Sequence, residues 1–440
     1  MKTVTLGLFA IILIALAVPL AAQNARPLPA GSYASNVEFV SFTDVGRHIP
    51  FKMSIHQANG RWYMYVGAQN DRGWVVMDIT NPADPTVLNW IPGPKNTRTP
   101  QVEIFDGKMI TGLERSQAGG DTDPNAPWDD GVLIWSLTED PVHPKLLGQY
   151  KTGGGLGTHR NGYYGGRYMH LAAGMRGYSG NIYVIVDISD PAHPVEVSRW
   201  APPEFKLADP NAQNTAYPHG AGLHGPPVVV DNLVYLPFGT KMVILDISDV
   251  RNPKEVSSLT FDPPFQLGLA VHTVLPFPRR KIVETNSEPF GRCDTQSPSQ
   301  VSLIDVANPA KPHILSFLPA PQTPPGAPYR NFCEQGSFGA HNVNMLFHNP
   351  LVDDSDNILY LTYFTAGLRI YDISDARQPR EIGYFIPPDP PRRGNEPPRG
   401  SSSAEVLVDK RGYIYLTDRS QGLWVLRYTG PKPGPSLPVH

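Results

Sequence analysis

Four histidines hold comparable places in the chain: His159 in THRNGYY, His224 in LHGPPVVV, His272 in VHTVLPF and His341 in AHNVNML. Each heads a short run of strand-forming residues. Glu405 in AEVLVD has the same placement, and Gln101 aligns with it more loosely. Neutral imidazole suits iron, copper and zinc, so four such side chains brought to one point would make a site for a divalent transition metal. Metal-bound imidazoles need a partner on the second ring nitrogen. Glu114, Glu288 and Glu405 are the carboxylates placed to supply it, and Glu288 and Glu405 are the candidate catalytic acids. Arg98, Arg160 and Arg419 lie in neighbouring segments and are candidates for holding an anionic substrate. The same residues also allow a plainer reading, in which the polar ring bonds adjacent strands and ordered water and holds no metal.

His224 fits the pattern least well, because Pro226-Pro227 shortens its strand, and His219 in YPHGAG is an alternative. His143, His193 and His313 fall in turns at the other ends of their strands. No Gly-x-Ser-x-Gly elbow, His-Glu-x-x-His helix, phosphate loop or dinucleotide fingerprint is present. The acidic excursion DTDPNAPWDDG reads as a solvated loop rather than a calcium loop. With a net charge of −3 and no lysine- or arginine-rich run, the chain lacks the footprint that a phosphate backbone needs, which argues against nucleic acid as a partner.

The elements that must position these residues come from a repeat. GWVVMDITNPADPTVLNWI, GVLIWSLTEDPVHPKLLGQY, NIYVIVDISDPAHPVEVSRW, KMVILDISDVRNPKEVSSL, QVSLIDVANPAKPHILSFL and GLRIYDISDARQPREIGYF share one pattern, and GLWVLRYTG is a truncated copy. Their anchors Asp78, Ser136, Asp187, Asp246, Asp305, Asp372 and Arg427 lie 58, 51, 59, 59, 67 and 55 residues apart. Each phrase is a strand, an Asp-x-Ser-x-Pro turn and a second strand. Two further strand-like runs precede each, as in HNVNMLFHN and NILYLTYF, making four antiparallel strands per unit. Radial repetition of such sheets is the way a propeller protects its edges.

The expected fold is therefore all-β: a single seven-bladed β-propeller of four-stranded antiparallel blades, over residues 23–440. The last copy lacks a fourth strand, and NVEFVSFTDVG near the N-terminus resembles the orphan fourth strands, so it is expected to complete the last blade and close the ring. Equivalent positions in rotationally related blades project equivalently, which would bring the histidines to one channel mouth. The segments 202–222, 318–340, 386–403, 114–131 and 286–299 are long and fall on that same face, where a rigid scaffold usually carries its binding residues. The second unit has WSLTED where the others have an Asp-Ile step, so an irregular blade is expected there.

The recurring V-x-I-x-DISDP phrase resembles the LVIVD-repeat family of exported bacterial β-propeller proteins, over nearly the whole chain from about residue 35 to 428. That resemblance implies the fold and leaves the activity open. One histidine per blade about an axis is also similar, in geometry alone, to the iron site of carotenoid-cleavage oxygenases.

Residues 1–22 read as a signal peptide, with Lys2, an apolar stretch and Leu20-Ala21-Ala22 before the cut, so the protein is expected in the periplasm or medium. No later stretch is long and apolar enough to span a bilayer. In that oxidising setting Cys293 and Cys333, the two cysteines, are expected to form a disulfide. Two functions of different class follow: a metal-dependent enzyme acting on a small organic substrate, or a non-enzymatic ligand-binding or surface-interaction propeller with structural histidines. The composition leaves the metal's identity, the reaction and the oligomeric state open.

Overall fold

The computed structural model describes residues 26–69, 71–115, 127–212, 222–261, 269–289, 299–391 and 400–439. The expected signal peptide at residues 1–22, His219, Cys293 and much of the long connections lie outside them. Among the described residues no helix is long and apolar enough to cross a membrane.

The strands form antiparallel sheets of the kind the repeat predicts. The first sheet takes Pro50–Ala58, Arg61–Ala68, Gly73–Asp78 and Thr86–Pro92 in order. Leu269–Phe277, Ile282–Glu288, Val301–Asp305 and His313–Phe317 form another, and Val228–Val230 to Lys254–Thr260 a third. The second and third units are fused. Gly157 pairs with Glu114, which joins the sheet around Lys108–Arg115 to the one beginning at Gly157–Tyr163 and gives nine strands in all.

The irregularity expected at the second unit is thus a seam. Gly157 permits it: its φ is +76°, and a β-carbon there would lie 2.3 Å from the Leu113 carbonyl oxygen.

The turn phrase has a repeated chemistry. Asp187, Asp246 and Asp372 each accept a hydrogen bond from the backbone N–H two residues on, at 2.9, 2.8 and 2.9 Å. Ser136 takes the same role in the deviant unit, accepting from Thr138 N at 3.3 Å. Five of these turns also receive a latch from the outer strand of the sheet before them; at the Asp187 turn the facing residue is Gly148, which has no side chain to donate. Ser198, Ser257 and Ser316 donate to the carbonyls of Val250, Pro309 and Ala376 at 2.6, 2.6 and 2.7 Å. Asn89 does the same to Val142 at 2.8 Å, and Ser41 to Pro82 at 2.6 Å.

Two N-terminal strands close the list of sheets. Val37–Thr43 pairs with Gly422–Tyr428, beside Tyr413–Asp418 and Ser403–Val408. Tyr33–Ser35, which the repeat pattern does not announce, pairs with Arg380–Ile386 as the outer strand of the sheet containing Ile358–Thr362 and Leu368–Asp372. That sheet lacks its expected first strand. HNVNMLFHN is not a regular strand, although His341 N, Asn344 N and Thr362 N still exchange backbone bonds with the neighbouring segment.

The reason lies in its far end, where side chains capture backbone groups of other sheets. His348 Nε2 bonds the Val229 carbonyl at 2.8 Å, and Asn349 Nδ2 donates to that of Ile55 at 2.9 Å. The His348 ring also packs on Tyr164, centroids 4.2 Å apart. Apolar clusters fill the spaces between sheets, with Trp74 meeting Trp135 edge-on at 5.9 Å.

Candidate metal centre

A local irregularity aims each of the site's side chains. In three first strands the register slips where the polar residue sits: between Thr158 and Arg160, between Leu269 and Thr273, and between Ser403 and Glu405. A bulge of this kind leaves a residue outside the ladder and re-aims it. His159 and His272 are such residues. His224 stands in an irregular approach, held close because Gly225 has no side chain: a β-carbon there would lie 2.1 Å from the His272 carbonyl oxygen.

The four predicted histidines come together. His159 Nε2 lies 3.1 Å from His224 Nε2, and ring centroids are 5.1 Å apart for His224 and His272 and 4.8 Å for His272 and His341. Glu288 reaches all of the last three. Its Oε2 is 3.5 Å from His224 Nε2 and 3.3 Å from His272 Nε2, and its Oε1 is 3.5 Å from His341 Nε2. One ligand atom from each of His224, His272 and Glu288 fits within 4.8 Å of the others. Ligands bound to one ion at about 2.1 Å sit roughly 3 to 4.5 Å apart, so the group needs little adjustment to share an ion.

Hydrogen bonds on the outer nitrogens fix the tautomers. His159 Nδ1 meets the Glu114 carboxylate at 2.7 Å, itself bound by Arg98 at 2.8 Å. A carboxylate held by arginine only accepts, so Nδ1 carries the proton. His341 Nδ1 donates likewise to the Ala404 carbonyl at 2.5 Å. Thr273 spends its single hydroxyl proton on the His341 carbonyl at 3.0 Å, and can therefore only accept from His272 Nδ1 at 2.7 Å. Three Nε2 lone pairs consequently face inward. Burial holds all four imidazoles below their ordinary pKa, and His224, His272 and His341 well below it.

The carboxylates differ from expectation. Glu288 approaches the inner nitrogens rather than the outer ones, and its buried Oε2 has no hydrogen-bond partner. Burial raises its pKa to about 7, against the lowering influence of Arg160, Arg419 and Arg98. Glu405 touches no imidazole. It lies 3.5 Å from Lys52 Nζ and accepts from Asn342 Nδ2 at 3.1 Å, while Lys52 also reaches Glu103 at 3.7 Å. Bulging turns Ala404 rather than Glu405 toward His341, so the predicted orienting role passes to a backbone carbonyl, to Thr273 and to Glu114.

The three arginines are all near. Arg98 binds Glu114, Arg160 Nη2 lies 3.4 Å from His272 Nε2, and Arg419 lies 4.8 Å over the Phe364 ring, which packs 4.7 Å from His341. Sequence reasoning missed Thr273, Lys52, Glu103 and Asn342. The dipeptides His272-Thr273 and His341-Asn342 carried the signal, since a polar residue follows a polar residue where alternation predicts an apolar one. His143 and His193 pair with Asp140 and Asp190 in exposed turns, away from the site.

The LVIVD repeat model matches residues 62–89, 177–201 and 228–260. No curated protein matches the sequence. Among solved structures the chain is similar to the periplasmic gluconolactonase PpgL of Pseudomonas aeruginosa, with a TM-score of 0.52 and 12% identity, over 84% of this chain and 97% of that one. It is also similar to the N-terminal domain of Nup159, at 0.50 and 9%, over 91% and 96%. At such identity the likeness shows the fold alone. Four-stranded sheets latched in sequence, with the matched repeats among them, make this chain a β-propeller that carries LVIVD repeats.

Proposed function

We propose that the protein is an exported, seven-bladed propeller in which His159, His224, His272 and His341, with Glu288, hold one divalent transition ion that acts on a small organic substrate. Counting the fused sheet as two units gives seven, in agreement with the seven phrases of the repeat. The Ser41 latch onto the first sheet's turn supports a closed ring.

One observation carries the metal reading: inward lone pairs of neutral imidazoles meet a buried carboxylate whose oxygen has no hydrogen-bond partner. Inward lone pairs beside a buried carboxylate are stabilised by a cation placed between them. Bound there, iron, copper or zinc would supply Lewis-acid or redox chemistry. Glu114, Thr273 and the Ala404 carbonyl would hold the ligands' tautomers. Arg98, Arg160 and Arg419 would favour a negatively charged substrate.

Protein purified without a metal-binding tag should contain about one transition ion per chain by elemental analysis, and the His272→Ala/His341→Ala variant less than about a tenth of that. Equal, negligible metal in both, in folded protein that cannot be loaded with iron, copper or zinc, would remove the metal. A non-enzymatic binding propeller is the second reading. It is favoured by Arg160, whose guanidinium lies close enough to His272 Nε2 to satisfy that lone pair without an ion.

The disulfide belongs to the same exported setting, its Cys293 lying outside the described residues. Oxidised, denatured protein should release no titratable thiol, and reduction should cost on the order of 3 kcal/mol of stability. Two thiols per chain would refute the bridge.

A further inference from the structure

Arg419 is the least committed cation of the site. Its Nε and Nη2 both donate to the Ser402 hydroxyl, at 3.3 and 3.2 Å, and no carboxylate lies within ion-pair distance of it among the described residues. Asp418, beside it in sequence, turns its carboxylate to the backbone N–H groups of Ser402 and Ser420 instead. The side chain is mostly enclosed, in the same site as Glu288, whose charge it influences. An enclosed guanidinium without a carboxylate has lost hydration and gained little in return.

Its position is held by a strained residue. Phe364 has φ +37°, an outlier for a bulky side chain, in a tight turn where Ala366 N bonds the Tyr363 carbonyl at 2.7 Å and Gly367 N that of Phe364 at 3.1 Å. In that conformation the phenyl ring centroid is 4.8 Å from the Arg419 guanidinium carbon and 4.7 Å from the His341 ring centroid. Phe51 stands on another side of His341, centroids 5.7 Å apart. The site therefore gathers one guanidinium and two phenyl rings beside the imidazoles. Arg98, Arg160 and Arg419 also outnumber Glu114 and Glu288.

We propose that the substrate is a small carboxylic acid with an apolar body, its carboxylate paired with Arg419 and its body against Phe364 and Phe51. A planar guanidinium matches a planar carboxylate through two parallel bonds. With Arg98 committed to Glu114 and Arg160 beside Gln101 and His272, a single open cation suits a monoanion better than a phosphate. This inference rests on reading the histidine cluster as a ligand site, but not on the ion itself.

The test is calorimetric titration of the full mature chain with benzoate, benzamide and inorganic phosphate, with metal content measured on the same samples. Benzoate should bind at least tenfold more tightly than benzamide or phosphate. Arg419→Gln should weaken benzoate at least tenfold while leaving metal content and thermal midpoint unchanged, and Arg419→Lys should recover part of the loss. Equal benzoate affinity in wild type and Arg419→Gln, benzamide or phosphate binding as tightly as benzoate, or no binding at all would overturn the proposal. Arg419-dependent binding by a chain that takes up no metal would uphold it while the metal reading fails. Metal-loaded protein indifferent to benzoate would do the reverse.

Discussion

A chain lacking residues 34–44 should show no cooperative unfolding transition. The segment contributes the strand Val37–Thr43, whose six register pairs with Gly422–Tyr428 occupy an edge that would otherwise be open. Its removal uncovers Trp424, which Phe42 and Phe39 contact at 4.4 and 5.9 Å, and Leu426, which is fully buried. It also takes away Ser41, the latch between the last sheet and the first. Burying one large apolar side chain is worth about 1.5–3 kcal/mol, so several lost together rival the roughly 5–15 kcal/mol that hold an ordinary protein folded. Calorimetry and denaturant titration of the truncated chain should show a broad, shallow melt. Ser41→Ala should cost only about 1 kcal/mol, the worth of one hydrogen bond. A truncated chain that melted sharply near the wild-type temperature would mean that these pairings contribute little.

Glu288→Gln should separate stability from function. Glu288 is buried with a pKa near 7, well above the ordinary 4.5. Between those values the folded state holds a proton that the unfolded chain releases, so stability falls as pH rises through that window. Well above pH 7 the ionised carboxylate is a net cost of about 3 kcal/mol in metal-free protein. The neutral amide escapes this cost, and metal-free Glu288→Gln should melt higher than wild type at pH 8, with the difference closing toward pH 5.

The same variant should bind zinc at least tenfold more weakly. In wild type, zinc must displace the Glu288 proton below pH 7, so affinity should fall about tenfold for each pH unit there. In Glu288→Gln that dependence should flatten until the histidines themselves take up protons. A variant less stable than wild type at pH 8, yet equal in zinc affinity, would make Glu288 a structural residue.

The histidines were legible in the sequence because a repeat turns position into geometry: four side chains at equivalent strand heads must face a common region. Their supports were harder to read. Thr273 and Asn342 show in the sequence only as a polar residue directly after a histidine, which does not say what either one binds, and Ala404 contributes a carbonyl, which no residue type announces. Glu288 lies among the histidines, but which nitrogens it faces depends on side-chain direction at a strand end. The latch serines are similarly silent, since Ser198 or Ser257 looks like ordinary outward alternation until the next turn is beside it. HNVNMLFHN has the composition of a strand, and only the long-range capture by His348 and Asn349 draws it away.

The pairing of the first strands with the last also orders events in time. Tyr33–Ser35 and Val37–Thr43 are made early, yet their partners, Arg380–Ile386 and Gly422–Tyr428, are made late. Until translation has passed Ile386 the first of these strands has nothing to pair with, and until it reaches Tyr428 the second is incomplete. A nascent molecule therefore cannot seal itself, and a chain that stays unsealed until it is complete is one that can still be threaded through a narrow pore.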